Sequence, residues 1–219
     1  MIPAFEATAA FAPSLMPAER EQALPLASRW LRRLLRPQSA AAPDAMDRST
    51  GLFNRAGLFA AAKDEQRRRG AGVPVSAIVL EFSDLPEVRD IYGAAIARKV
   101  VDRLVRRLRS VAGAQGLVGR TGPMQFTVVF VGAGEGKALK QLQRGLGQPA
   151  RVEFDAGDSE IVLVPEFVVD EMEPGAPSLR GLYGDMAREL ARMQMDERRR
   201  LNYLTSERER HSRPMAIRH

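Results

Sequence analysis

Few residues in this chain could do chemistry, and their placement limits what that chemistry could be. Cysteine is absent from the 219 residues, which removes disulfides, thiolate metal sites and thiol nucleophiles. The two histidines, His211 and His219, lie in a polar tail. The run Gly132-Ala133-Gly134-Glu135-Gly136-Lys137 has the composition of a phosphate loop. Its spacing fails, because the positions that need Gly and Ser or Thr hold Val131 and Ala138; it reads as a strand-to-helix connection. What remains is Glu81, a carboxylate at the end of an apolar run, and a scatter of arginines.

Those residues need a scaffold, and the composition provides for one. A hydrophobic content of 45% supports a single core with extensions. No stretch approaches the ~20 apolar residues of a membrane span, and no export signal is legible; the expected location is cytoplasmic. A net charge of +6 and a pI near 10.3 suggest anionic partners. Aromatic residues are sparse beside the arginines, however, so no nucleic-acid site is expected.

Residues 1–43 read as an N-terminal extension. Within it, 24–36 should form a short basic amphipathic helix, with Trp30, Leu31, Leu34 and Leu35 on one face and Arg29, Arg32, Arg33 and Arg36 on the other. A Pro/Ala linker follows. Three readings of the apolar stripe stand: packing on the same chain, docking on a partner protein, or recruitment to a membrane surface. The domain proper is placed at 44–195. Asn54 should cap a helix running to Arg69, and Val75–Phe82 should be a buried strand. Ile96, Val100, Leu104 and Leu108 mark a second helix. Leu117–Arg120 and Phe126–Val131 should form a hairpin around Thr121-Gly122-Pro123-Met124-Gln125. A helix over 136–146, strands over 151–154 and 161–169, and a helix over 178–210 follow. Leu179, Leu182, Met186, Leu190 and Met193 should form the apolar seam of that last helix, and 196–219 is a polar helical extension and tail. The order predicts an α/β sandwich whose central sheet is mainly antiparallel, flanked by helices.

Four segments then resemble one family, the GGDEF (diguanylate cyclase) domains. Asp47-Arg48-Ser49-Thr50-Gly51-Leu52-Phe53-Asn54-Arg55 is similar to its D-x-L-T-G-L-x-N-R entry, with Ser49 the one departure. The stretch Leu80 to Gly93 resembles L-D-x-D-x-F-K-x-x-N-D-x-Y-G through Asp90, Tyr92 and Gly93, and Arg120 to Phe126 occupies the place of R-x-G-G-D-E-F. Gly184 to Arg192 is loosely similar to the closing A-D-x-A-L-Y-x-A-K helix. The resemblance implies a nucleotidyl cyclase-type sandwich with a five-stranded sheet, a long C-terminal helix, and condensation of two GTP into cyclic di-GMP across a dimer.

The departures bear on that activity. The resemblance implies magnesium held by the strand-end Asp and an acidic turn residue. Glu81 keeps the first position, but Met124 and Gln125 put a thioether and a neutral amide at the second. Pro123 replaces a glycine whose N–H and freedom serve the phosphates. The guanine-reading Asn and Asp correspond to Arg89 and Arg98, which only donate. The R-x-x-D inhibitory site for cyclic di-GMP falls on Gly113 and Gly116. Gly122, Pro123, Met124, Gln125 and Phe126 are therefore expected to carry no catalysis, with no metal and no cofactor. A residual anion or nucleotide pocket would draw on Glu81, Arg89, Arg98 and Arg192, the last equally readable as a surface arginine. The expected role is a non-enzymatic regulatory domain with a protein partner, and a homodimer through the last helix as a further option. A nucleotide receptor without turnover is the alternative, and a residual cyclase acting through Glu81 the third.

Overall fold

The computed structural model describes residues 43–70, 72–157, 159–172 and 178–212, with side chains through residue 200. The Trp30, Leu31, Leu34 and Leu35 stripe lies outside the described residues.

After a 3-10 turn at Pro43–Ala45 and a two-residue strand β1 (Phe53–Asn54), helix α1 runs Arg55–Arg69. Asn54 caps it as its sequence type requires, accepting from the Gly57 N–H at 2.9 Å. Strand β2 (Val75–Glu81) is buried along its length apart from Glu81, as befits a strand covered on both faces. Helix α2 spans Leu85–Ala112, broken at Gly93, whose φ of 81° is left-handed. The helix thus begins well before Ile96, its first turns anchored by buried Leu85 and Val88.

Strands β3 (Gly116–Arg120) and β4 (Gln125–Val131) form the expected hairpin, and α3 follows over Glu135–Leu146. The run 161–169 is two strands, not one. Strand β6 (Glu160–Leu163) pairs with β5 (Val152–Asp155) in a separate two-stranded sheet, and β7 (Glu166–Glu171) joins the main sheet beside β2. Pro165 sits at the break, where its missing N–H suits the change of sheet. Helix α4 covers Leu179–Ser212.

The main sheet has the order β1-β3-β4-β2-β7. Every pairing is antiparallel except β1 with β3. Side-chain alternation divides the core into two layers. Ile78, Leu80, Phe126 and Val128 meet α2, α3 and the β5–β6 hairpin; Ala77, Val79, Val129 and Val131 meet α1 and α4 through Leu58, Met186 and Leu190. The seam of α4 also takes in Tyr183, which is buried, whereas Met193 is 44% exposed.

Candidate functional site

Two turns lie side by side at one end of the sheet. In the entry turn, the Asp47 carboxylate accepts from the Ser49 hydroxyl at 2.7 Å, the Thr50 N–H at 2.9 Å and the Thr50 hydroxyl at 2.7 Å. Burial works to raise its pKa. The hydrogen bonds from Thr50 and Ser49 and the charge of Arg120 outweigh it, so the carboxyl titrates below its ordinary value. Arg120 joins this turn to the hairpin turn. Its guanidinium donates to the Ser49 hydroxyl at 2.6 Å and to the Pro123 carbonyl at 2.5 Å, and lies 5.8 Å from the centre of the Phe126 ring.

The hairpin turn closes with the N–H groups of Thr121 and Gly122 both donating to the Gln125 carbonyl. From there alternation sends its side chains to opposite layers. Met124 packs against the α2/α3 cluster, with its carbonyl accepting from the Phe82 N–H at 3.0 Å. Gln125 turns to the α1/α4 side, directly opposite Glu81 on β2. Its amide N–H reaches Glu81 at 3.4 Å, while its amide oxygen accepts from the hydroxyls of Tyr183 and Thr121. Thr121 in turn shares a hydrogen bond with buried Thr127 at 2.9 Å.

The row continues across the sheet. Glu166 on β7 stands opposite Glu81, and its Oε2 is buried without a hydrogen-bond partner among the described residues. Neither Glu166 nor Tyr183 was legible as part of this end of the molecule. Tyr183 had one signal: it falls at helical spacing between Leu179 and Met186.

Magnesium takes hard oxygen ligands in near-octahedral geometry. At the turn this chain offers it a thioether packed on the apolar core and an amide already bonded to Glu81 and Tyr183. The residues do not fit that ion as the resemblance would have it bound. Among the described residues, no three of His, Asp and Glu come together.

Arg89 and Arg98 are both exposed on α2, on either side of the Gly93 break. Arg192 lies elsewhere. It pairs with Glu189 at 3.6 Å and borders a groove with Val168, Asp170 and Asp185, so it is not grouped with Glu81. The Gly113 and Gly116 positions answer to backbone demands: Gly113 ends α2 at φ 57°, and a Cβ on Gly116 would meet the Ala112 backbone at 2.8 Å. An open groove of about 450 Å³ lies between the first turns of α1 and α4, lined by Arg55, Phe59, Arg180 and Tyr183 among others; Phe59 and Tyr183 meet edge to face at 5.4 Å.

The family model described as diguanylate cyclase, GGDEF domain, matches residues 44–163. No curated protein matches the chain. Among solved structures, the FimX GGDEF domain from Pseudomonas aeruginosa is 18% identical, with a TM-score of 0.58 over 67% of this chain and 91% of its own. The GGDEF domain of DgcB from Caulobacter crescentus, solved with c-di-GMP, is 16% identical, with a TM-score of 0.58 over 71% of this chain and 92% of its own. Diguanylate cyclase SiaD from Pseudomonas aeruginosa, solved with its activator SiaC, is 20% identical, with a TM-score of 0.61 over 78% of this chain and 66% of its own. At these identities the likeness is one of fold.

Proposed function

Because the chain belongs to the GGDEF family of diguanylate cyclase domains, we propose that it is a member without cyclase chemistry, acting as a regulatory, protein-binding domain in cyclic di-GMP signalling. One observation carries this reading. The turn that should present carboxylates to a metal has its Gln125 side chain bonded between Glu81 and Tyr183 and its Met124 packed on the core. Phosphoryl transfer between nucleotides depends on cations that neutralise the triphosphate and on groups that orient it. Neither turn residue supplies such a group, and Pro123 has no N–H to offer a phosphate.

The purified chain, incubated with GTP and magnesium or manganese, should make no cyclic di-GMP detectable by chromatography. Product whose formation is abolished by Glu81→Ala would overturn the reading. A second reading, a nucleotide receptor without turnover, is favoured by the exposure of Arg89 and Arg98, neither of which forms an ion pair among the described residues. Calorimetry with GTP, GDP and cyclic di-GMP separates the two: silence supports the first, tight binding without product the second.

The partner-binding face is proposed to be the Trp30, Leu31, Leu34 and Leu35 stripe of the 1–43 extension. SiaD offers the precedent of a relative in fold held by a partner protein. Trp30→Ala with Leu34→Ala should abolish partner capture and leave the melting temperature of the 44–195 domain unchanged, since anchors at the centre of an interface contribute about 2 kcal/mol or more each. A lowered melting temperature with capture retained would contradict it.

A further inference from the structure

The two faces of the sheet differ in how their charges are answered. On α1, Arg67 pairs with Asp64, and Arg68 and Arg69 pair with Glu65. On α4, Arg188 pairs with Asp185, Arg192 with Glu189 and Arg199 with Asp196. Helices α2 and α3 form no such pairs among the described residues, whereas on α1 and α4 only part of the cations, Arg55, Lys63, Arg180, Arg198 and Arg200, are left unpaired. Beyond Gly93, α2 exposes Arg98, Lys99, Arg103, Arg106 and Arg107, with Asp102 as the one acid, and none of the five cations forms an ion pair among the described residues. Helix α3 adds exposed Lys137, Lys140 and Arg144 against Glu135. The β5–β6 hairpin packed on this layer brings Asp155, Glu160 and Glu153, the last paired with Arg151 at 2.6 Å. Before the Gly93 break α2 exposes Glu87 and Asp90 against Arg89, so the excess of cations lies on α2 beyond the break and on α3.

The same layer carries exposed apolar side chains. Ile91 is 70% exposed and Tyr92 37%, just before the α2 break; Val162 on β6 is 44% exposed, and Val164, just after it, 53%. A phosphate backbone has no use for three exposed aliphatics, and single-strand recognition needs a series of exposed aromatics where the described residues of this layer expose only Tyr92. Cations with protruding apolar groups suit a lipid surface, where the charges meet anionic headgroups and the apolar groups reach the acyl boundary.

We infer that the α2/α3 layer docks on an anionic lipid bilayer. This is independent of whether the chain turns over nucleotide. Each Lys or Arg near an anionic surface strengthens binding about fivefold, so three together give about a hundredfold. The full chain should sediment with vesicles of phosphatidylcholine containing roughly one-third phosphatidylglycerol, an anionic fraction that gives a strong surface potential, and not with phosphatidylcholine alone. Binding should fall steeply with salt.

Arg103→Glu with Arg106→Glu and Arg107→Glu should weaken binding by about a hundredfold or more, and the corresponding Gln variant in the same direction with less disturbance of the fold. Ile91→Ser should weaken it several-fold. Arg188→Glu with Arg192→Glu and Arg199→Glu makes the same change in net charge on α4 and should leave binding near wild type. Four results would overturn the inference: no binding of the full chain to anionic vesicles; equal losses from the α2 and α4 sets; loss only on Trp30→Ala with Leu34→Ala; or displacement from vesicles by duplex DNA at matched phosphate together with indifference to Ile91→Ser.

Discussion

The entry turn and the hairpin turn touch through Arg120, yet their residues have diverged to different degrees. Asp47, Thr50, Gly51 and Asn54 keep the family's types, and each has a local duty: the Asp47 carboxylate closes its own loop, Gly51 takes φ 61°, and Asn54 caps α1. In the hairpin turn Pro123, Met124 and Gln125 depart from the family's types, and each is held by the fold: the Pro123 carbonyl by Arg120, Met124 by the core, Gln125 by Glu81 and Tyr183. The entry-turn residues shape the chain, and the hairpin-turn positions that the family resemblance would turn toward a ligand are here packing and hydrogen-bonding positions. A binding surface needs the fold but not the ligand-facing groups, which is the pattern expected of a domain that works by its surface.

The comparison is most easily broken at Asp47. Asp47→Ala should cost about 2 kcal/mol, since hydrogen bonds to a charged group are worth about 1.5–3 kcal/mol, measured by denaturant unfolding near pH 7. The effect carries a pH signature. Because the folded pKa lies below the unfolded value of about 3.9, the carboxylate's contribution is fully present above that value and lost as pH falls through the folded pKa. The stability gap between wild type and Asp47→Asn should therefore narrow below about pH 4. A gap constant down to pH 2 would show that the carboxylate charge is immaterial there.

The hairpin side is sharpened by Gln125→Ala and Tyr183→Phe. Each should cost about 1 kcal/mol, and the double variant less than their sum, because both break the same hydrogen bond. Strict additivity would mean that the Tyr183 to Gln125 contact contributes nothing. The smallest effect is a gain. Like charges directly opposite on neighbouring strands are unfavourable by about 0.2–1 kcal/mol, so Glu166→Gln should raise the melting temperature slightly, whereas a drop would mean that the Glu81 and Glu166 carboxylates share a partner.

Local signals made much of this legible in advance. The Asn54 cap, the near-continuous β2 run, the 3.6-residue period of α2 beyond Gly93 and the Gly/Pro turn of the hairpin all act within a few residues, and the elements they mark are present. The unbroken apolar letters of 161–169 hid a change of sheet at Pro165, since periodicity reports burial but not which sheet buries a residue. The α4 seam was legible except at two positions: Leu179, Leu182, Met186 and Leu190 pack on the α1/sheet cluster as expected, whereas Met193 is exposed and Tyr183, against Phe59, joins the seam. The row Gln125, Glu81, Glu166 follows from β7 lying beside β2, a pairing across about 85 residues that no local pattern encodes. The charge contrast between the helical layers was hidden for the same reason, because cations line each of the described α-helices and only the placed acids distinguish a paired cation from an unpaired one.

If the hairpin turn serves the fold and holds no ligand, as proposed, restoring the family's letters there should cost stability. The melting temperature of Pro123→Gly with Met124→Asp and Gln125→Glu, measured with and without magnesium and GTP, should fall below wild type in both conditions. Loss of Met124 packing and of the Gln125 bridge, with a carboxylate placed opposite Glu81, all act in that direction. A triple variant as stable as wild type, or one that magnesium and GTP stabilise, would show that the turn still faces a ligand and would contradict the account.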